Sequence, residues 1–582
     1  MGRRFVHWAR WSCALLSSVA FAAQAAEPAD LVLRHGKVYR VSATGPTWAS
    51  AVAIRGGKFV AVGQDRDITP YIGPATQVVD LQGRMAMPGF LDAHIHPVDA
   101  AYEQMFHCGL PPTAGLPQLL ATVKDCAARA APGDWIVAAA YASAISPELE
   151  KRENLRRLDE ASGGHPVVIR DDSYHNRWVN SEVLRLAGIQ AGSTPPPGGT
   201  YVFEGGEPTG LLKEFPAFDR VQQLIPPRKP ERLLQAAQSV MKTLNALGIT
   251  SVQPAMVNRT ELDVWHRADQ LPGGLSLRVV ATLAGAKGST DEEPGGLALY
   301  EAGQTMRSEL MRPDFVKFFV DGVPMAHTSA MLDPYVPDKE HGHDFRGKAH
   351  YTVAELTDQI AVLDKRGIGV KLHAAGDAAV RLALDAIEEV RKRNGPNGPR
   401  HQIAHVNWVA AADMPRFKKL DVTAEMSPAV WFPTPVTPVL ERVLGRARTA
   451  ATNPMKNLLN AAAPLAIGSD WPAAGPNPDP WIGIEGAVTR RDPSGMVPGV
   501  LDPSERIPLA TVLRIHTRDN AQAMGLGAVT GSIEVGKAAD LIVLSQNPFR
   551  VPVGQVHRTK VLRTYLQGRL VYDGLMEKRQ QP

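Results

Sequence analysis

The stretch MPGFLDAHIHP, residues 87–97, decides the fold. It is a short apolar run that reads as a β-strand and ends on His94 and His96. Residues two apart on a strand share a face, so the two imidazoles project together. Four later runs end the same way, on a residue able to hold a metal. Lys317 lies in DFVKFFVDG, His373 in GVKLHAAGD, His405 in RHQIAHV and Asp470 in LAIGSDWP. In a (β/α)8 barrel, active sites are built at the C-terminal ends of the strands.

Working outward, eight barrel strands can be placed: MAMPGFLDAHIH, GITSVQPA (248–255), SLRVVATL (276–283), DFVKFFVDG, GIGVKLHAAG, RHQIAHV, DVTAEMS (421–427) and APLAIGSD. Segments between them, such as VAELTDQIAVLDKRG and DAAVRLALDAIEEVRKR, carry apolar residues at helical spacing. Strands alternating with helices predict a parallel sheet, and eight such units predict closure. The expected fold class is α/β: a TIM barrel over 87–527, with an insertion at about 110–245. That insertion contains the Pro/Gly-rich stretch STPPPGGTYVFEGGEPTG, a candidate lid. Turn-punctuated strands in 27–86 and 528–582 predict a small β-sandwich domain assembled from both chain ends.

At 582 residues the chain suits a barrel with insertions plus a small partner domain, and 44% hydrophobic content gives ample core. Residues 1–26 read as a signal peptide: Arg3, Arg4 and Arg10, then the apolar WSCALLSSVAFAA, then Ala23-Gln24-Ala25. The run is too short for a stable membrane anchor. Gly2, Val6 and His7 around the arginine pair fit twin-arginine export poorly, so general secretion is expected. Cleavage near residue 25 or 26 would place the protein in the periplasm or outside the cell. Three arginines and no acid leave with that segment, taking the formal charge from +4 to +1. No basic patch for nucleic acid is therefore expected. Cys13 leaves too and lacks the small-residue context of a lipidated cysteine. Cys108 and Cys126 could pair in an oxidising compartment, but spacing does not decide it.

Each candidate ligand has a bland alternative. One buried histidine is usually a hydrogen-bonded core residue, but His373 and His405 end adjacent strands at equivalent heights. Lys317 shares a strand face with Phe315 and Phe319, where an unpaired ammonium is costly. Either a salt bridge to Asp321 or carboxylation of its amine to a bridging carbamate answers that. Asp470 could cap a helix before Trp471-Pro472, or bind metal and take a proton from metal-activated water.

These segments resemble the amidohydrolase superfamily, and within it amidohydrolase family 3, which includes proteins similar to N-substituted formamide deformylases. PGFLDAHIHP, VKFFVDG, HAAGDAAV, IAHVNW and IGSDWP carry the resemblance, with NSEVLRLAGI, PTGLLKE, GITSVQP and GSIEVGKAADLIVL. The resemblance covers nearly all of the chain after the signal. It implies one or two divalent ions, commonly zinc, with His94, His96 and Asp470 at one site, His373 and His405 at the other, and carboxylated Lys317 as the bridge. It also implies a metal-activated hydroxide attacking a carbonyl carbon, with Asp470 shuttling the proton to the leaving amine. His175, in SYHNRWVNSE, matches a family position and is expected to reach substrate. The family often has Ser-Arg-Thr-Ala after the lysine strand; this chain has Ala326-His327-Thr328-Ser329-Ala330, which puts an anionic substrate in doubt. His327 and Trp471 are further candidate substrate contacts.

The leading expectation is a hydrolase of non-peptide C–N bonds in an N-substituted amide, formamide, cyclic amide or carbamate. The partner expected is a small-molecule substrate, with a homodimer left open. An esterase or lactonase could use the same site. A one-metal deaminase would want Glu after the fifth strand, where this chain has Ala375-Gly376-Asp377. A non-catalytic binding or regulatory protein should have lost ligands, and all six are present.

Overall fold

A computed structural model describes residue 2 and residues 26–42, 47–110, 114–172, 175–286, 295–473, 475 and 477–576. The signal reading therefore lies outside the described residues, apart from Gly2 and Ala26. Among the described residues, no helix is long and apolar enough to cross a membrane.

Eight parallel strands form the barrel: β1 (Phe90–Ile95), β2 (Ile249–Val257), β3 (Arg278–Ala284), β4 (Met311–Phe319), β5 (Gly369–Ala374), β6 (Gln402–His405), β7 (Thr423–Met426) and β8 (Leu465–Ile467). They pair in chain order from β1 to β8. The remaining seam, β8 against β1, is closed beyond the strand ends. Asp470 N–H donates to His94 O (2.7 Å) and His96 N–H to Trp471 O (2.8 Å). Gly468 is required there because a Cβ would fall onto the His94 backbone nitrogen. Outward-facing Val316, Leu372, Ile403 and Ala424 join the apolar core shared with the surrounding helices. The helix Asn520–Ala523 plugs the opposite end against Leu91, Ala93, Val280 and Phe315.

One expected strand divides. MAMPGFLDAHIH is two strands, because Met85–Pro88 pairs with Leu541–Leu544 and Lys37–Tyr39 in a six-stranded sheet drawn from both chain ends. Gly89 is the joint: its N–H donates to Asp540 O, and a Cβ there would collide with Thr250. A separate four-stranded sheet, from residues 31–80, lies alongside.

The segment after β1 builds its own six-stranded sheet with flanking helices and two apolar cores. Half of the Pro/Gly-rich stretch read as a lid is a hairpin, Thr200–Glu204 with Glu207–Lys213, at one edge of that sheet. Cys108 and Cys126 are joined in a disulfide, with Cα atoms 6.3 Å apart. It ties the short strand Cys108–Gly109, at the other edge, to the helix Leu116–Ala127.

Candidate metal centre

The barrel brings all six predicted residues to one end. His94, His96 and Asp470 form a cluster in which one ligand atom from each lies within 4.8 Å of the others. Asp470 Oδ1 is 3.6 Å from His94 Nε2 and 3.5 Å from His96 Nε2. His405 Nδ1 is 3.8 Å from Asp470 Oδ2. Its ring lies 4.9 Å from that of His94 and 4.3 Å from that of His373. Lys317 Nζ sits 3.2 Å from His94 Nε2, in the middle of the group.

Two of these residues are positioned by backbone that most side chains avoid. His373, Ala404 and Glu425 are level in register and face the interior, so regular alternation would send His405 outward. His405 is instead left-handed, φ 75°, and turns in. Asp470 is left-handed as well, φ 52°, and no helix starts after it, which removes the N-cap reading. Strained backbone of this kind costs of order 1–3 kcal/mol and persists where the surroundings impose it.

Two buried residues not singled out in the sequence complete the centre. Glu425, on β7, accepts from His94 Nδ1 (2.6 Å) and from Lys371 Nζ (3.1 Å). Lys371, on β5, also donates to Ala93 O. The Glu425 contact puts the His94 proton on Nδ1 and leaves Nε2 as the unprotonated nitrogen, facing Asp470 and Lys317. Glu425 Oε1 is buried without a partner. Burial holds His94, His373 and His405 well below the ordinary imidazole range, so all three are neutral. Burial, with Lys371 beside it, pushes the Lys317 amine down to about 7. The donor set of neutral imidazoles, one carboxylate and a readily neutral amine fits borderline divalent ions such as zinc.

The salt bridge from Lys317 to Asp321 left open by the sequence does not form. Asp321 accepts instead from the backbone N–H groups of Ala330 (3.0 Å), Ala375 (2.9 Å) and Gly376 (2.9 Å). It thereby ties the loop after β4 to the loop after β5. His373 Nε2 lies 3.1 Å from Gly322 O and 3.8 Å from Asp321 Oδ1, so its near partners are in that loop.

Of the expected substrate contacts, His175 is buried and pairs through Nδ1 with Glu214 Oε2 at 2.9 Å. Trp471 is 2% exposed in the apolar core, and its backbone carbonyl accepts from His96 N–H. The His327 ring packs on His341, Tyr335 and Phe345 within its own loop.

A family model described as an amidohydrolase family matches residues 77–572. The chain is 28% identical over 549 residues to an N-substituted formamide deformylase of Arthrobacter pascens, covering 94% of this chain and 98% of that protein. It is 29% identical over 566 residues to Protein LONG AFTER FAR-RED 3 of Arabidopsis thaliana, covering 94% and 92% respectively. A crystal structure of an uncharacterized metal-dependent hydrolase from Pyrococcus horikoshii superposes with a TM-score of 0.69 at 22% identity, covering 90% of this chain and 99% of that one.

Proposed function

The chain belongs to the amidohydrolase family of metal-dependent hydrolases, and from that premise we propose that it cleaves a non-peptide C–N bond in an N-substituted amide, formamide, cyclic amide or carbamate. The observation that carries this reading is the convergence of His94, His96, Asp470, His405, His373 and Lys317 at one end of the barrel. The first three would hold one ion and His373 with His405 a second, with Lys317 as a carbamate between them. Divalent ions, zinc in this proposal, supply a nucleophilic hydroxide at neutral pH and polarise a carbonyl oxygen.

The chain's own groups do the rest. Glu425 fixes the His94 tautomer, and the hydrogen bond from Lys371 holds that carboxyl in place and opposes the burial that pushes it up to about 7. A Lys317 amine with its pKa lowered to about 7 is substantially neutral at neutral pH, the form that adds carbon dioxide and loses a proton. Asp470 takes the proton from the attacking water on its carboxylate and delivers it to the leaving nitrogen. His175, oriented by Glu214, donates a hydrogen bond to the substrate.

The deaminase alternative lacks its proton shuttle. Asp377, at the position after the fifth strand, accepts from Leu332 N–H at 2.7 Å and serves the loop instead.

The same proposal places the protein in the periplasm or outside the cell, and the Cys108–Cys126 disulfide supports that compartment. N-terminal analysis of the mature chain should find a start near residue 26 or 27. The activity is tested by assaying metal-loaded and metal-stripped protein against amides, cyclic amides, carbamates, esters and amidines. Metal-dependent turnover of the C–N substrates is expected; turnover of esters alone would replace this reading.

A further inference from the structure

Among the described residues, one more group of side chains outside the barrel centre has the composition of a metal site. His327, Asp338 and His341 each offer a ligand atom, and these atoms all lie within 4.8 Å of one another. His327 Nε2 is 3.5 Å from Asp338 Oδ2, and His341 Nδ1 is 3.0 Å from Asp338 Oδ1. The His327 and His341 rings stack at 4.4 Å with 19° between their planes.

The group is pre-shaped. Asp338 Oδ1 accepts from the backbone N–H groups of Glu340 (2.8 Å) and His341 (2.7 Å), which fixes the carboxylate, and Oδ2 lies between His341 Nδ1 (3.1 Å) and His327 Nε2 (3.5 Å). His327 is held by a left-handed backbone, φ 61°, between Tyr335 and Phe345 on one side and His341 on the other. Side-chain exposures of 15%, 42% and 22% for His327, Asp338 and His341 leave an ion a path from solvent.

We propose that His327, Asp338 and His341 bind a borderline divalent transition ion, of which zinc is the type, separately from the barrel centre. Two imidazoles and one carboxylate select that class over calcium or magnesium, which want all-oxygen sites. The placement gives the ion a role. The three residues lie in the connection between β4 and the helix Val353–Asp364, which holds no strand and only the short turn Pro324–Ala326. His327 comes from its first half and Asp338 and His341 from its second, so the ion clamps the two halves together. The root of this connection is Asp321 and Gly322, the residues that meet Gly376 and His373 at the barrel centre. The ion is a clamp on the loop at the barrel mouth.

The test counts metal by difference, so it does not depend on how many ions the barrel holds or on any activity. Wild-type protein and the variants His327→Gln, His341→Gln and His343→Gln are titrated with zinc against a chromophoric chelator. His343, exposed and outside the cluster, is the control. Wild type and the His343 variant should bind one equivalent more than His327→Gln or His341→Gln. The extra equivalent should also raise Tm and slow proteolysis within residues 321–350 in wild type and His343→Gln, but not in His327→Gln or His341→Gln. Equal stoichiometry in all four proteins would overturn the proposal, as would an extra equivalent lost equally with His343→Gln.

Discussion

Glu425 Oε2 accepts a hydrogen bond from His94 Nδ1 at 2.6 Å, a contact between the seventh and first strands of the barrel. It decides which His94 nitrogen carries the proton and hence which one faces Asp470 and Lys317. Glu425→Gln keeps the shape and removes the carboxyl group that Lys371 and His94 share. It should weaken metal affinity by about 10- to 100-fold, as removing such a supporting carboxylate does. Titration of the purified variant with a chelator series checks this; wild-type affinity would remove Glu425 from the centre.

Lys317→Ala should lose metal and activity together, and short-chain carboxylic acids should restore part of both by standing in for the carbamate. Wild-type protein given 13C-bicarbonate should show a carbamate resonance that the variant lacks. Unchanged metal stoichiometry in Lys317→Ala would argue against a bridging role.

Asp470→Asn keeps an oxygen near His94 and His96 but cannot hold the transferred proton. Its kcat should fall by roughly 10²- to 10⁴-fold, the usual contribution of such a group, with a much smaller change in KM. A raised KM with normal kcat would assign Asp470 to binding alone.

His516 gives a pH dependence far from the metal. Burial alone pushes its imidazole down to about 3, and its ring packs edge-on to Phe90. An unfolded chain protonates histidine near 6.5, while the folded protein does so only near 3. Between those values the unfolded state holds the extra proton, so stability falls as pH falls, by up to about 1.4 kcal/mol per unit. Denaturant melts of His516→Phe against wild type, from pH 7 to pH 4, should show a shallower loss in the variant. Parallel curves would mean that His516 is protonated in the folded state.

Much of this site can be read from single strands. His94, His96, Lys317, His373, His405 and Asp470 each end an apolar run, and in a parallel barrel such ends must meet. The supporting residues are harder to see, because their partners are far away in the chain. Lys371 stands two residues before His373 and Glu425 lies inside DVTAEMS, where each resembles an ordinary polar position on an alternating strand. Only closure of the barrel brings Glu425 to His94 across 331 positions. Gly89 hides a change of sheet because the apolar pattern runs through it unbroken from Met85 to Leu91. Trp471 directly follows Asp470, and its side chain packs into the apolar core. His327 could not be matched to Asp338 and His341 because the connection that joins them has no period to read.

The most direct measurement is hydrolysis of an N-substituted formamide or amide counted against metal equivalents. Protein freed of metal is titrated with zinc in the presence of bicarbonate, and turnover is recorded at each addition. The predicted result is negligible turnover without metal, a rise that saturates once the barrel centre is filled, and no such rise in the Asp470→Asn variant. Full turnover in metal-free protein would contradict the account, as would a filled centre that cleaves no C–N bond.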